Sequence, residues 1–125
     1  MPKVTGLQLD ILRVLWAQPG ATVQEVKVAL RKRRTLAPTT VATHLKRLVV
    51  KELVGFEKDG RTYRYSARVD ESDVVREAVD EVASEVFRGD LTAFAAELLS
   101  RRDVDADSLA EIRALIEAKE RELGR

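Results

Sequence analysis

The chain has 125 residues, of which 45% are hydrophobic and 34% charged, with a net charge of only +1, as in one globular domain or a small domain with an appendage. It contains no cysteine, which excludes disulfides, thiolate metal sites and cysteine nucleophiles. Because no apolar run approaches the roughly 20 residues of a membrane span and the start lacks the apolar stretch of a secretion signal, we expect a soluble, cytoplasmic protein without membrane insertion.

Two amphipathic helices are predicted first along the chain. The first runs from about Thr5 to Ala17, where large apolar side chains recur at helical spacing, and the Pro-Gly pair at 19–20 ends it. Thr22 opens the second and forms a capping box with Glu25. This helix is predicted to end at the basic run 31–34, since cations are favoured at a helix C-terminus. The run either lies on a solvated helix end or contacts a DNA backbone, and both interpretations stay open.

A third helix is predicted from Pro38, a residue suited to the first helical turn. Val41, Leu45, Leu48 and Val49 mark its inward face, because they recur at helical spacing. Three short helices in succession are typical of a helix-turn-helix.

After the third helix, the spacing at which apolar side chains recur changes from the helical one to the alternation typical of strands. Residues 53–58 and 61–66 are predicted as two short strands. Between them, Asp59-Gly60 predicts a two-residue type I′ turn, which requires positive φ. Three helices followed by a hairpin predict a winged helix-turn-helix domain over residues 1–69.

Only helical patterns follow from Asp70, which is predicted to cap the first of three C-terminal helices. Gly89-Asp90 breaks this helix from the next one, and Asp105 caps the last. The predicted fold class is therefore mainly α, a winged helix-turn-helix followed by a three-helix region.

Each of the three C-terminal helices carries a wide apolar stripe. A single chain would leave much of this surface in water, so residues 70–125 are predicted to form a dimerisation domain. The alternative is a small self-contained bundle that caps the winged domain. The predicted interface residues are Val75, Val79, Val82, Val86, Phe87, Leu91, Phe94, Leu98, Ile112 and Ile116.

The two predicted domains carry opposite charge. Residues 1–69 contain 14 Lys and Arg against 5 Asp and Glu, a net charge of +9, whereas residues 70–125 contain 8 against 16, a net charge of −8. A basic domain followed by an acidic one is typical of a nucleic-acid reader with its own assembly module. The alternative is a solvated surface without a partner, because charge does not determine fold.

The third helix is the predicted reading helix, because its first two turns carry short threonines that allow close approach to base edges. The alternative is an exposed amphipathic helix whose threonines merely cap it. Arg47 can reach a guanine edge or a phosphate, and His44 is open to a DNA contact or a packing role. Cations around the wing turn either bind phosphate or protect an edge hairpin from aggregation. The predicted DNA-binding set is Thr39, Thr40, Thr43, His44, Lys46, Arg47, Lys58, Arg61 and Arg64.

Catalytic and metal-binding signatures are missing from the sequence. It has no phosphate-cradling glycine loop and no nucleophile elbow. A single histidine without cysteines makes no metal site, and the C-terminal acidic residues have helix-surface spacing rather than the pattern of a calcium loop. We therefore predict a protein that is not an enzyme and has no cofactor or metal.

Three stretches together resemble the BlaI/MecI family of bacterial repressors, the regulators of penicillinase-type operons. They are Leu9–Trp16, Ala37–Leu48 and Lys58–Tyr65, and the order of elements agrees through the C-terminal helices. The resemblance implies a homodimer whose winged domains bind a palindromic operator in double-stranded DNA and repress by covering a promoter.

The resemblance also implies a regulatory protease or a membrane sensor protein as a partner. Family members are typically induced through cleavage in the penultimate helical region. Their cleaved Asn-Phe bond aligns near Glu97-Leu98, where this sequence has a different pair. The competing interpretation is a protein-interaction adaptor built on a winged-helix scaffold.

Overall fold

The computed structural model describes residues 3–124 and is mostly helical. The winged head comprises α1, α2, α3 and an antiparallel hairpin of β1 and β2, and α4, α5 and α6 follow. Their bounds are Gly6–Ala17, Val23–Leu30, Pro38–Val50, Val54–Asp59, Thr62–Ala67, Glu71–Glu81, Leu91–Leu99 and Ala106–Glu122. The predicted fold class is thus confirmed. Within the described part of the chain, every helix is too short or too polar to span a membrane.

Reciprocal caps determine where the first two helices begin. The Thr5 hydroxyl accepts from the Gln8 N–H at 3.2 Å, and the Thr5 N–H donates to the Gln8 side chain at 3.3 Å. Thr22 and Glu25 exchange the same two bonds, both at 3.1 Å. These bonds satisfy N–H groups that a first helical turn leaves without helical acceptors. The predicted capping box of α2 is therefore confirmed.

The core of the winged head lies between its three helices and the hairpin. Its largest fully buried side chains come from all three helices and from β1, and are Ile11, Leu12, Leu15, Val26, Val41, Leu45, Leu48 and Val54. Tyr65 of β2 closes this core from the hairpin side. Its N–H donates to the Ala21 carbonyl oxygen at 2.8 Å, and the Ala21 N–H donates back at 3.1 Å. The base of the wing is therefore fixed to the turn between α1 and α2.

The wing turn differs from the prediction by one residue. Asp59 pairs with Thr62, so the two central residues of the turn are Gly60 and Arg61. Gly60 has a φ of 64°, whereas Arg61 has a negative φ. Positive φ at the first central residue alone is the pattern of a type II′ turn, and type I′ needs it at both. The predicted type I′ turn at Asp59-Gly60 is wrong, and Arg61 lies at the tip.

The chain divides into two compact units, the first ending at Val79 and the second beginning at Asp80. The first unit includes the start of α4, whose Val74 is buried in the core of the winged head. The predicted functional boundary between residues 69 and 70 stays a prediction.

The second unit begins within a helix whose hydrogen bonds change pattern. α4 gives way to a π-helical turn at Val82–Val86. Asp90 caps α5 by accepting from the Ala93 N–H at 3.0 Å. Asp105 caps α6, as predicted, by accepting from the Ser108 N–H at 2.8 Å. The rings of Phe87 and Phe94 stack with centroids 4.9 Å apart.

Candidate nucleic-acid interface

The outward face of α3 presents the short side chains predicted to meet DNA. Thr39 and Thr43 are exposed, and Thr40 is half-buried. The Thr43 hydroxyl donates to the Thr39 carbonyl oxygen at 2.8 Å, so its proton is used within the helix and its oxygen remains an acceptor. The N-cap is Ala37, which makes no side-chain cap bond. The threonines therefore do not cap this helix, and their contact with DNA stays a prediction.

Lys46 and Arg47 add positive charge to this face. Both are exposed, and neither forms an ion pair with another residue in the range 3–124. The uncapped helix N-terminus adds a partial positive charge of its own. Because these charges are not neutralised within the described chain, the face suits a polyanion.

His44 lies between the reading face and the core. It is half-buried, and its Nδ1 atom is buried without a hydrogen-bond partner among the described residues. Burial, followed by the positive charges of Arg47 and Lys51, lowers the pKa of His44 below its ordinary value. This shift favours the neutral form of the ring, in which one nitrogen donates and the other accepts.

The three predicted wing cations lie in different surroundings. Arg61 is exposed at the tip and has no ion pair within residues 3–124. The Lys58 ammonium lies 6.0 Å from the centre of the Tyr63 ring. The Tyr63 ring thus lies beside the Lys58 ammonium without neutralising it, and the charges of Lys58 and Arg61 remain available to a ligand.

Arg64 instead joins the wing to α2. Its Nε donates to the Asp59 carboxylate at 3.0 Å, and its Nη1 lies 3.2 Å from the Gly20 carbonyl oxygen and 3.4 Å from the Glu25 carboxylate. Hydrogen bonds from Thr22 chiefly lower the pKa of Glu25, and the Arg64 charge lowers it further, so Glu25 is an anion. Any phosphate contact by Arg64, which stays a prediction, must compete with these bonds.

A buried carboxylate on α1 binds part of the basic run after α2. Asp10 is 5% exposed. It pairs with Arg34 at 2.9 Å, with Arg33 at 3.5 Å and with Arg13 at 3.7 Å. Of the basic run, Arg33 and Arg34 are thus partly neutralised. Asp10 is not recognisable from the sequence as a partner of the basic run, because Arg33 and Arg34 lie more than twenty residues away.

The predicted dimer residues leave much apolar surface exposed in the single chain. Val75, Val79, Val82, Val86, Leu91, Leu98 and Ile116 are exposed. Phe87, Phe94 and Ile112 are half-buried. No residue of α5 or α6 is buried. The Glu97-Leu98 bond lies inside α5.

The described residues contain no cluster of three acidic, histidine or cysteine side chains suited to a metal ion.

Comparison with known proteins gives matches over almost the whole chain. A family model described as penicillinase repressor matches residues 4–118. The penicillinase repressor of Bacillus licheniformis is 25% identical over 117 residues, which are 94% of this chain and 91% of that protein. The methicillin resistance regulatory protein MecI of Mammaliicoccus sciuri is 20% identical over 94% of this chain and 95% of its own. The solution structure of the DNA-binding domain of the repressor BlaI is 33% identical with a TM-score of 0.52, over 58% of this chain and 88% of that one.

Proposed function

The chain belongs to the penicillinase repressor family, and from this premise we propose that it represses transcription by binding a palindromic operator in double-stranded DNA as a homodimer. The family is one of repressors and not of enzymes, and the protein-interaction adaptor is not favoured because the matched relatives are repressors. Because a transcriptional repressor must reach its operator DNA, we propose the cytoplasm as its location.

The observation that carries the DNA proposal is the outward face of α3. Buried Val41, Leu45 and Leu48 hold one side of this helix on the core, each 0% exposed. The opposite side is left with hydroxyls, an uncapped N-terminus and the cations Lys46 and Arg47. Such a helix fits the major groove, where its first turns meet base edges. Arg61 at the wing tip supplies a further cation for the phosphate backbone.

The DNA proposal is tested with duplexes that the full-length protein selects from random sequence. We expect tight binding to the selected duplex and weaker binding to a scrambled one, followed by fluorescence anisotropy. Arg47→Ala should weaken the free energy of binding to the selected duplex by about 1–3 kcal/mol if the residue contacts a base. The matched control is Arg102→Ala, an exposed arginine in the acidic C-terminal region. Failure of the wild-type protein to bind any duplex at low salt refutes the proposal.

The homodimer proposal is supported by where the exposed apolar side chains lie. Of the 15 exposed large hydrophobic residues in the described part of the chain, 11 lie from Val75 onward. Single exposed apolar residues are normal on a protein surface, but a long run of them on consecutive helices, of which α5 and α6 have no buried residue, indicates an interaction surface. A second copy of the chain presents the same apolar stripes, and closed symmetry lets each cover the other.

Val79→Asp tests this interface, because pairing the stripes would bury an unpaired charge. We expect the variant to sediment as a monomer. Val28→Asp is a close control, since Val28 and Val79 are both 48% exposed and Val28 lies on α2 in the winged head. A wild-type monomer at micromolar concentration, or equal sedimentation of the wild type and Val79→Asp, contradicts the interface.

A regulatory protease or sensor protein remains part of the proposal, on the strength of the family resemblance. Because Glu97-Leu98 lies within the helix α5, cleavage there requires local unwinding into an extended strand. Leu98 is 51% exposed in the single chain, so this part of α5 lies at the surface of the single chain.

A further inference from the structure

The segment that joins the wing to α4 is bound to the winged head at successive points. The Arg68 N–H donates to the Leu53 carbonyl oxygen at 2.8 Å. The Trp16 indole N–H donates to the Val69 carbonyl oxygen, also at 2.8 Å. Val69 packs against the core, and Val74 in α4 is 6% exposed. The start of α4 is therefore held by the winged head and is not preceded by a free linker.

Trp16 is the long-range anchor in this series. It lies in the last turn of α1, its ring packs against the core, and its bond to Val69 spans 53 residues of sequence. An indole has a single donor and no acceptor, so this bond is the only hydrogen bond the ring can donate. Losing it leaves both the ring nitrogen and the carbonyl oxygen without their partner. The bond thus ties the path of the chain after β2 to the helix that packs beside α3.

We propose that Trp16 is a positioning residue that sets the half-site spacing accepted by the repressor. By holding Val69, it fixes where α4 leaves the winged head, and α4 leads into the helices proposed to join two copies. The inference rests on the proposed function. One extra base pair moves a half-site by about 3.4 Å and rotates it by about 34°. A firmly anchored α4 resists both changes.

The test compares full-length wild type with Trp16→Phe, which keeps an aromatic ring but has no donor. The probes are the selected duplex, the same duplex with one or two base pairs added between its half-sites, and a duplex with one half-site. A dimer can meet a wrong spacing by giving up the Trp16 bond, which the variant has already lost. We therefore expect the penalty for added base pairs to be smaller in the variant by a factor of about 2 to 12, the net worth of one hydrogen bond.

Two further variants separate positioning from general destabilisation. Val74→Ala loosens the next contact of the same segment and should relax the spacing preference in the same direction. Ser66→Ala removes a different hydrogen bond of the head, in which Ser66 accepts from the Gly20 N–H at 2.9 Å, and should keep the wild-type spacing profile. Identical spacing profiles for wild type and Trp16→Phe overturn the inference, as does an equal loss of affinity on every duplex. Absence of DNA binding by the wild type refutes the proposed function itself.

Discussion

Two arginines of the wing, three residues apart, should contribute differently to DNA binding. Arg61 is exposed at the tip without an ion pair within residues 3–124, whereas Arg64 binds the carboxylates of Asp59 and Glu25 at 3.0 and 3.4 Å. A cation that neutralises a phosphate releases condensed counterions, and each such contact adds about 0.9 to the slope of log affinity against log salt. Arg61→Gln should therefore lower this slope by about 0.9.

The size of the effect is measurable over an ordinary salt range. Between 50 and 200 mM salt, one phosphate contact corresponds to about a 3.5-fold difference in affinity loss. Arg64→Gln should leave the slope almost unchanged, because the guanidinium is already neutralised by protein carboxylates. It should reduce affinity at every salt concentration, since Asp59 and Glu25 then face the duplex without their cation. The loss of stability should stay below about 1 kcal/mol, as is usual for exposed ion pairs.

The assay is fluorescence anisotropy with the selected duplex at five salt concentrations, with unfolding curves to show that each variant is folded. Equal reductions of the slope in the two variants would refute the reasoning, because Arg64 would then contact phosphate directly. An unchanged slope in Arg61→Gln would show that the wing tip does not neutralise DNA.

Three further variants test the stability of the winged head by urea or thermal unfolding. Gly60→Ala should cost about 1–2 kcal/mol, because Gly60 has a φ of 64° and an added Cβ gains no contact within 4 Å; an unchanged midpoint contradicts the type II′ turn. Asp10→Asn should lower the free energy of unfolding by about 1–3 kcal/mol, since it weakens a buried acceptor of three partly exposed guanidiniums. An unchanged free energy of unfolding would mean that this cluster does not stabilise the head. His44 has a lowered pKa, so the unfolded chain binds the proton more tightly. The contribution of His44 to the free energy of unfolding should be fully present above about pH 6.5 and decrease as the pH falls below this value. His44→Gln should lose this part of the pH dependence. Unfolding curves measured between about pH 5 and 7.5 test this.

The reading helix and the caps follow from local sequence, and the structure agrees with them. Val41, Leu45 and Leu48 recur at helical spacing and are fully buried, which places Thr39, Thr43 and Arg47 outward with no further information. The capping box at Thr22 is equally local, because its two partners are three residues apart.

Features that depend on distant partners could not be predicted from the sequence. Asp10 and Arg34 are 24 residues apart, and Glu25 and Arg64 are 39 apart, so no periodicity indicates either pair. The wing turn was misplaced by one residue for a similar reason. Its register is that of the whole hairpin, which pairs Val54 with Ala67 and Asp59 with Thr62, and the glycine at the tip does not determine it alone.

The π-helical turn at Val82–Val86 has a consequence for comparing relatives of different length. A π turn holds one residue more than the α-helical turn it replaces. A homologue that lacks one residue at this point can close the gap by reverting to regular α-helix, without displacing the residues on either side. The same deletion within α4 would rotate every later side chain by about 100°. In an alignment, a single-residue gap therefore belongs at this turn.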